Sequence, residues 1–370
     1  VRLIAVPKTK TMRSLFFILF FALFAYTHVN AQGCVAIRGV GGLCTIDHKG
    51  SDTVPSKWTL NLNTRYFNSF RHYVGTVEQK HRIANNTQVI NNNITVDMSL
   101  IRVFNSRWSM AFSIPMISNT RTSLYEHGGA SRHLTTSFGL GDARVSGYYW
   151  LTDPSKGKKF ALQAGLGIKL PTGDYRVMDH FYTNTGTRVL GPVDQSIQLG
   201  DGGTGFTTEI NAFQTINRQL SLYGNFFYLL NPREHNGVST SRGGATSATA
   251  LQYGSDVMSV PDQYMVRFGA NYTINRFTFS AGYRHEAVPS SDLIGGSYGF
   301  RRPGYVKSIE PGITYSVKKL NLYAYVPFAV QRSRTQSYAD KQRTKITGVY
   351  AQGDAAFADL AVNVGMSLRF

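Results

Sequence analysis

Residues Leu360-Ala-Val-Asn-Val-Gly-Met-Ser-Leu-Arg-Phe370 decide the reading of this chain. Leu360, Val362, Val364, Met366, Leu368 and Phe370 share one parity, and Asp359, Ala361, Asn363, Gly365, Ser367 and Arg369 share the other. Side chains alternate across a β-strand, so the segment predicts a strand with one oily face and one polar or small face. A soluble sandwich strand can carry the same alternation. What separates the two readings is whether the rest of the chain repeats the pattern, and how the repeats are joined.

The pattern recurs along the whole chain. Segments of alternating polarity bounded by turn residues fall at 58–72, 93–104, 107–121, 136–151, 159–171, 205–216, 219–230, 262–274, 277–288, 304–317 and 320–332, and 356–370 completes the series. Tight connections are expected at Asn105-Ser106, residues 153–157, Asn217-Arg218, Asn275-Arg276 and Lys318-Lys319. Long polar stretches fill the other gaps, at 75–92, 122–135, 172–204, 231–261, 289–303 and 333–355. Tight and long connections alternate throughout, which a double sandwich has no reason to do. Short periplasmic turns against long outer loops is the layout of an outer-membrane barrel. The expectation is therefore all-β: a transmembrane antiparallel up-and-down β-barrel of about 12 strands, with 10 or 14 as alternatives. After residue 31 no apolar stretch approaches the roughly 20 residues that a spanning helix needs. A mean hydropathy of −0.19 suits strands that are polar on one face. An aromatic content of 13%, with 21 Tyr and 23 Phe, suits girdles at the two membrane interfaces.

At the front, residues 1–11 read as an over-extended start and Met12 as the expected initiator. Arg13, the apolar run 15–25 and Val29-Asn-Ala31 then read as a signal peptide cut before Gln32. A membrane anchor is the alternative, for which the run is short. Residues 1–31 are assigned to this export segment, 32–56 to a periplasmic N-terminal segment and 57–370 to the barrel. Cys34 and Cys44 are the only cysteines, and in an oxidising compartment they are expected to form a disulfide. Acylation of Cys34 competes with that reading, whereas a metal site lacks a third ligand. The N-terminal segment is either a hatch tucked into the lumen or a leader packed outside it.

The formal net charge is +18. The basic residues are scattered, without a stripe on one helix or a nucleic-acid module, so no nucleic-acid partner is expected. Arg107, Lys156, Lys158, Lys159, Arg218, Arg276, Lys318 and Lys319 fall in the tight turns, where cations suit lipid headgroups. Phe160, Leu162, Ala164, Leu166, Ile168 and Leu170 form one lipid-facing row. Leu320, Leu322, Ala324, Val326, Phe328 and Val330 form another. On the opposite parities stand the residues expected to line the lumen: Arg65, Asp97, Asp142, Arg144, Lys169, Glu209, Arg267, Arg284, Glu286, Glu310 and Asp359. The two signs are nearly balanced. That balance fits ion pairs bracing the barrel, and it also fits a polar constriction that selects solutes.

Gly200-Asp-Gly-Gly-Thr-Gly205 matches the dinucleotide fingerprint in letters. That chemistry needs a helix after the glycines, and here a strand is expected, so no cofactor is assigned. Together with Phe138-Gly-Leu-Gly-Asp-Ala-Arg-Val145 and Phe160-Ala-Leu-Gln-Ala-Gly-Leu-Gly-Ile-Lys-Leu-Pro-Thr-Gly-Asp174, this loop resembles the outer-membrane transporters grouped with the phenol meta-cleavage pathway, distant relatives of the long-chain fatty-acid channels. The resemblance implies a porin-like channel in a Gram-negative outer membrane that takes up a small solute, hydrophobic or aromatic. Phe370 resembles the terminal aromatic of outer-membrane barrels, which implies an assembly signal. The expected partners are outer-membrane lipids and lipopolysaccharide, the barrel assembly machinery and the small-molecule solute.

Two other functions compete. A structural or adhesive barrel would act through the loops at 172–204 and 231–261. A lipid hydrolase would need a histidine activating a serine on the lipid face; His72 and His285 with Glu286 are the candidates, and neither has an obvious serine at matching depth. No catalytic residue is assigned.

Overall fold

Twelve strands close on themselves in the computed structural model, which describes residues 57–153 and 156–370. The expected start, the signal peptide, the Cys34–Cys44 pair and the hatch lie outside the described residues. The strands are β1 (Trp58–Val74), β2 (Ile90–Val103), β3 (Trp108–Ser123), β4 (His133–Leu140 and Arg144–Trp150), β5 (Phe160–Lys169) and β6 (Gly205–Thr215). There follow β7 (Leu220–Leu230), β8 (Gln263–Ile274), β9 (Phe277–Val288), β10 (Gly304–Val317), β11 (Leu320–Tyr325 and Phe328–Arg334) and β12 (Ala355–Arg369). Each pairs antiparallel with its sequence neighbours, and β12 pairs with β1 to close the ring. Phe370 completes that seam, exchanging backbone hydrogen bonds of 3.0 and 3.1 Å with Trp58.

The two interruptions have local causes. In β11 the break falls at Val326-Pro327, where proline has no N–H for the ladder. In β4 it falls at Gly141-Asp142-Ala143, where Gly141 N–H donates to the Pro115 carbonyl and Ala143 N–H to the Thr172 hydroxyl. The outer half of β4, His133–Leu140, pairs with β3 on one side only. On its other side Thr136 N–H donates to the Asp179 carboxylate.

The tight turns at one end are as short as the sequence predicts. Ile274 pairs with Phe277 and Val317 with Leu320, so the two hairpins turn on Asn275-Arg276 and Lys318-Lys319. Asn275 and Lys318 take φ of 55° and 50° at the first turn position. A two-residue hairpin needs that left-handed geometry because its twist matches the strands. The long connections at the other end are not plain loops. They carry two hairpins, Met178–Tyr182 with Arg188–Pro192 and His235–Ser239 with Val257–Ser259. They also carry three helices, α1 (His81–Ala84), α2 (Ala248–Tyr253) and α3 (Tyr338–Thr347). A Ser337–Asp340 capping box starts α3.

The barrel is inside out relative to a soluble protein. Ile94, Phe112, Phe138, Leu166, Ile210, Phe268, Leu322 and Val364 are exposed on the exterior, Phe138 by 72%. Asn61, Asn63, Arg65, Thr95, Gln163, Glu209, Asn225 and Ser367 are buried on the interior. A continuous apolar exterior of this extent is stable against hydrocarbon and not against water. Aromatic side chains mark both rims: Trp108 against Tyr149 near the tight turns, and Tyr228, Tyr264, His285 and Tyr305 in a stacked row near the long loops.

Inside, four lumen-facing tyrosines lie directly opposite glycines of the next strand: Tyr148 and Gly165, Tyr223 and Gly269, Tyr325 and Gly312, Tyr323 and Gly365. At Gly165, Gly312 and Gly365 the ring occupies the space a Cβ would take, and at Gly269 the Tyr223 hydroxyl comes within 2.8 Å of it. A Cβ on Gly365 would run into the Tyr323 ring and stand 2.5 Å from the Leu62 carbonyl oxygen, which is backbone and cannot give way. Gly365→Ala is expected to cost about 1–3 kcal/mol through overpacking. Denaturant unfolding of the refolded barrel measures it, and Tyr323→Phe, which keeps the ring, serves as the control.

Candidate functional site

The lumen wall is a polar lattice. Gln163, Asn211 and Asn225 form a ladder across β5, β6 and β7, with amide hydrogen bonds of 3.0 and 2.7 Å. The lattice continues into charge on β8, β9 and β10. Arg267 donates to Glu310 through Nε at 3.0 Å and again through its Nη2. Arg284 reaches Glu310 at 3.4 Å and Glu286 at 2.8 Å. Across β4, β6 and β7, Arg144 stands 3.5 Å from Glu209 and over the Phe227 ring at 5.3 Å, while the Tyr148 hydroxyl donates to Glu209 at 3.2 Å. Asp359 joins Arg71 at 3.1 Å and Arg332 at 2.6 Å beside the closing seam. Arg65 is buried in register with Thr95 and Asn363. Asp97 lies in register with Asn63 and faces the cavity described below.

The three glycine-bearing motif segments meet at the break in β4. Asp142 accepts from Gly173 N–H at 3.0 Å and from Asp201 N–H at 3.2 Å. Lys169 stands 3.6 Å from Asp142 and clasps Asp201. Gly173 and Gly200 pack backbone to backbone, and a Cβ on Gly200 would stand 2.5 Å from the Gly173 carbonyl oxygen. These glycines therefore allow close chain approach, and a strand, β6, begins at Gly205, where the sequence predicts a strand and not a helix.

Sequence reasoning did not find the second layer of the site. Part of the connection at residues 170–204 folds into the barrel mouth. Its one-turn 3₁₀ helix, Gln195–Ile197, presents the Ile197 carbonyl to the wall, where Asn119 and Ser137 donate to it at 3.1 and 2.5 Å. Phe181, Val193, Ile197 and Leu199 are buried, as are Met258 and Val260 of the next long connection. Apolar residues spaced through nominally polar loops were the available signal, because a solvated loop has no use for them.

A charge cluster ties these connections together. Asp194 accepts from both Nη atoms of Arg302 at 2.7 Å and from Arg242 at 2.9 Å, with Arg121 at 3.5 Å. Arg121 and Arg242 also hold Glu126, at 2.7 and 2.9 Å. Burial alone would raise the Asp194 carboxyl, but Arg121 and Arg302 outweigh it and hold the group well below the usual carboxylate range. Glu126 is likewise pulled, against its burial, down to about 2 by Arg121 and Arg242. A second pair, Arg301 with Asp292 at 2.6 and 2.7 Å, is completely enclosed.

Beneath the inserted turn lies a cavity of about 190 Å³. Asn61, Asp97, Arg144 and Lys169 contribute polar walls, and Leu199, Phe227, Leu229 and Met258 an apolar one. No hydrolytic dyad forms at His72: its Nε2 accepts from Val89 N–H at 2.8 Å and its Nδ1 faces Asp354 at 3.0 Å, leaving no lone pair for a serine. His285 stacks on Tyr264 and Tyr305.

These features define a transmembrane β-barrel whose lumen is partly filled by its own loops. No family model matches the chain, and no curated protein does. Among solved structures, the fold is similar to an outer membrane channel from Pseudomonas putida F1, with a TM-score of 0.56 and 10% identity over 87% of this chain and 98% of that one. The toluene transporter of Ralstonia pickettii aligns with a TM-score of 0.42 and 10% identity over 92% of this chain and 96% of that one.

Proposed function

We propose that this chain is an outer-membrane channel for uptake of a small solute, hydrophobic or aromatic in class. The observation that carries the reading is the cavity of about 190 Å³ inside a closed barrel, apolar along Leu199, Phe227, Leu229 and Met258. An apolar cavity of about 150 Å³ suffices for benzene, so a one-ring solute fits. The one-sided edge of His133–Leu140, flanked outside by Phe138, Leu140, Leu166 and Ile168, offers such a solute an apolar way from lumen to lipid. Arg65, Asp97, Arg144, Lys169, Glu209, Arg267, Arg284, Glu286, Glu310 and Asp359 would line the polar remainder of the path. Export by a signal peptide, the Cys34–Cys44 disulfide and Phe370 as the assembly signal belong to the same reading.

Refolded protein in planar bilayers is expected to give stepwise currents, and liposomes containing it to take up benzyl alcohol faster than empty ones. Folded, inserted protein that shows neither would overturn the proposal.

A further inference from the structure

Among the described residues, each cation bordering the cavity has a carboxylate at ion-pair distance. Arg144 has Glu209 at 3.5 Å, and Lys169 has Asp142 at 3.6 Å and Asp201 closer still. Arg301 has Asp292 at 2.6 Å and Arg302 has Asp194 at 2.7 Å. The carboxylates bordering the cavity are Asp97, Asp142 and Asp201, and among the described residues only Asp97 of these has neither an ion pair nor a side-chain hydrogen bond. Its charge acts through space on Arg144, which stands with Glu209. One guanidinium therefore serves two carboxylates, and this part of the wall carries an excess negative charge.

The strand register explains why no partner reaches Asp97. Tyr323, Gly365, Asn63, Asp97 and Pro115 stand at one level across β11, β12, β1, β2 and β3. Gly365 and Pro115 have no side-chain donor, and the Tyr323 hydroxyl donates to the Leu62 carbonyl at 3.5 Å. On the adjacent level Ser99 and Ser113 bond each other at 2.7 Å. Asn61 and Asn63 border the cavity at 6% exposure each, and the Oδ1 of both lacks a hydrogen-bond partner among the described residues. Buried polar atoms without partners are costly. Two such amide oxygens beside a bare carboxylate mark a place for a donor that the described residues do not supply.

We propose that Asp97, with Asn61 and Asn63, is a recognition site for the ammonium group of a one-ring amine. An ionised carboxylate only accepts hydrogen bonds, and an ammonium group only donates them and carries the opposite charge. The ring would lie on the apolar wall of Leu199, Phe227, Leu229 and Met258, which borders the same cavity. Arg144 links the two halves, since it lies over the Phe227 ring at 5.3 Å and within the field of Asp97. An anionic ring compound would meet Asp97 with the wrong sign. The inference rests on the channel reading and narrows its solute class from aromatic compounds to aromatic amines.

Calorimetric titration of the refolded, detergent-solubilised full chain compares benzylammonium chloride with benzyl alcohol and sodium benzoate, which share the ring and differ in the head group. Benzylammonium is expected to bind at least about 10-fold tighter than benzyl alcohol, as one charge-assisted hydrogen bond supplies, and benzoate to bind weakest. Asp97→Asn, which keeps the shape and removes the charge, is expected to lose that preference, and Asp97→Glu to retain it. Equal binding of benzylammonium and benzyl alcohol by the parent chain, or undiminished preference in Asp97→Asn, overturns the proposal. Displacement of benzylammonium by an equal concentration of sodium chloride would make this a plain cation site and overturn the amine assignment. Resistance to SDS without heating reports folding; should Asp97→Asn fail it, Asp97→Ser takes its place with the same expectation. Uptake of benzyl alcohol by liposomes separates the two ideas. Uptake without an Asp97-dependent preference for the amine keeps the channel and removes the site. Preference without uptake or current keeps the site while the channel reading falls.

Discussion

Glu310→Ala is expected to destabilise the barrel by about 3–5 kcal/mol, the cost of breaking a buried ion pair from one side. Glu310 is 1% exposed and is shared by Arg267, itself 8% exposed, and by Arg284. Removing it leaves two guanidinium groups facing each other in the wall of β8 and β9, with Glu286 able to hold only Arg284. The penalty is mostly the stranded charge of Arg267 and not the lost attraction. Guanidinium unfolding of the liposome-inserted barrel, followed by tryptophan fluorescence, measures it. The double change Arg267→Met with Glu310→Leu is expected to recover most of the loss, because both charges leave together while Arg284 keeps Glu286. A loss below about 1 kcal/mol for Glu310→Ala would mean that lumen water screens the pair as it does a surface salt bridge.

Ile210→Arg is expected to cost about 2–4 kcal/mol, the penalty for an arginine on the lipid face near the bilayer midplane. Ile210 sits at the middle of β6, faces outward and is in register with Ala164 on β5 and Phe226 on β7. An arginine there has no water within reach except by stretching along the barrel toward a rim. The same substitution at a rim position such as Phe206 is expected to cost about 0–1 kcal/mol, because the depth dependence is steep. Equal costs at the two positions would show that the exterior is not held in hydrocarbon, and the transmembrane reading would fall with it.

Much of this architecture is legible in the sequence because its signal is local. The outward row from Phe160 to Leu170 and the inward set Asn61, Asn63 and Arg65 are read by parity alone; in the structure Asn61, Asn63 and Arg65 are buried and Leu166, Ile168 and Leu170 are exposed. The tight turns at Asn275-Arg276 and Lys318-Lys319 are read from two residues each. The breaks in β4 and β11 are less visible. Pro327 is a plain strand breaker, but Gly141 and Asp142 interrupt β4 only because residues 172–201 return to bond with them.

The lumen charges divide in the same way. Parity places Arg267, Arg284, Glu286 and Glu310 on inward faces, but the choice of partners depends on strand order and register. Arg284 bonds to Glu286 on its own strand as well as to Glu310 across the ladder, a sharing that no periodicity encodes.

The sequence by itself determined the strands, their number only to about twelve, their two faces and the asymmetry of their connections, because a period of two is set by backbone geometry within a few residues. Only the tertiary structure decided that the long connections enter the lumen and lock there. Asp194 and Arg302 are 108 residues apart, and Glu126 and Arg242 are 116 apart. Contacts at such separations leave no local pattern; they exist because the closed barrel brings the loop ends to one rim, where buried charges must find partners.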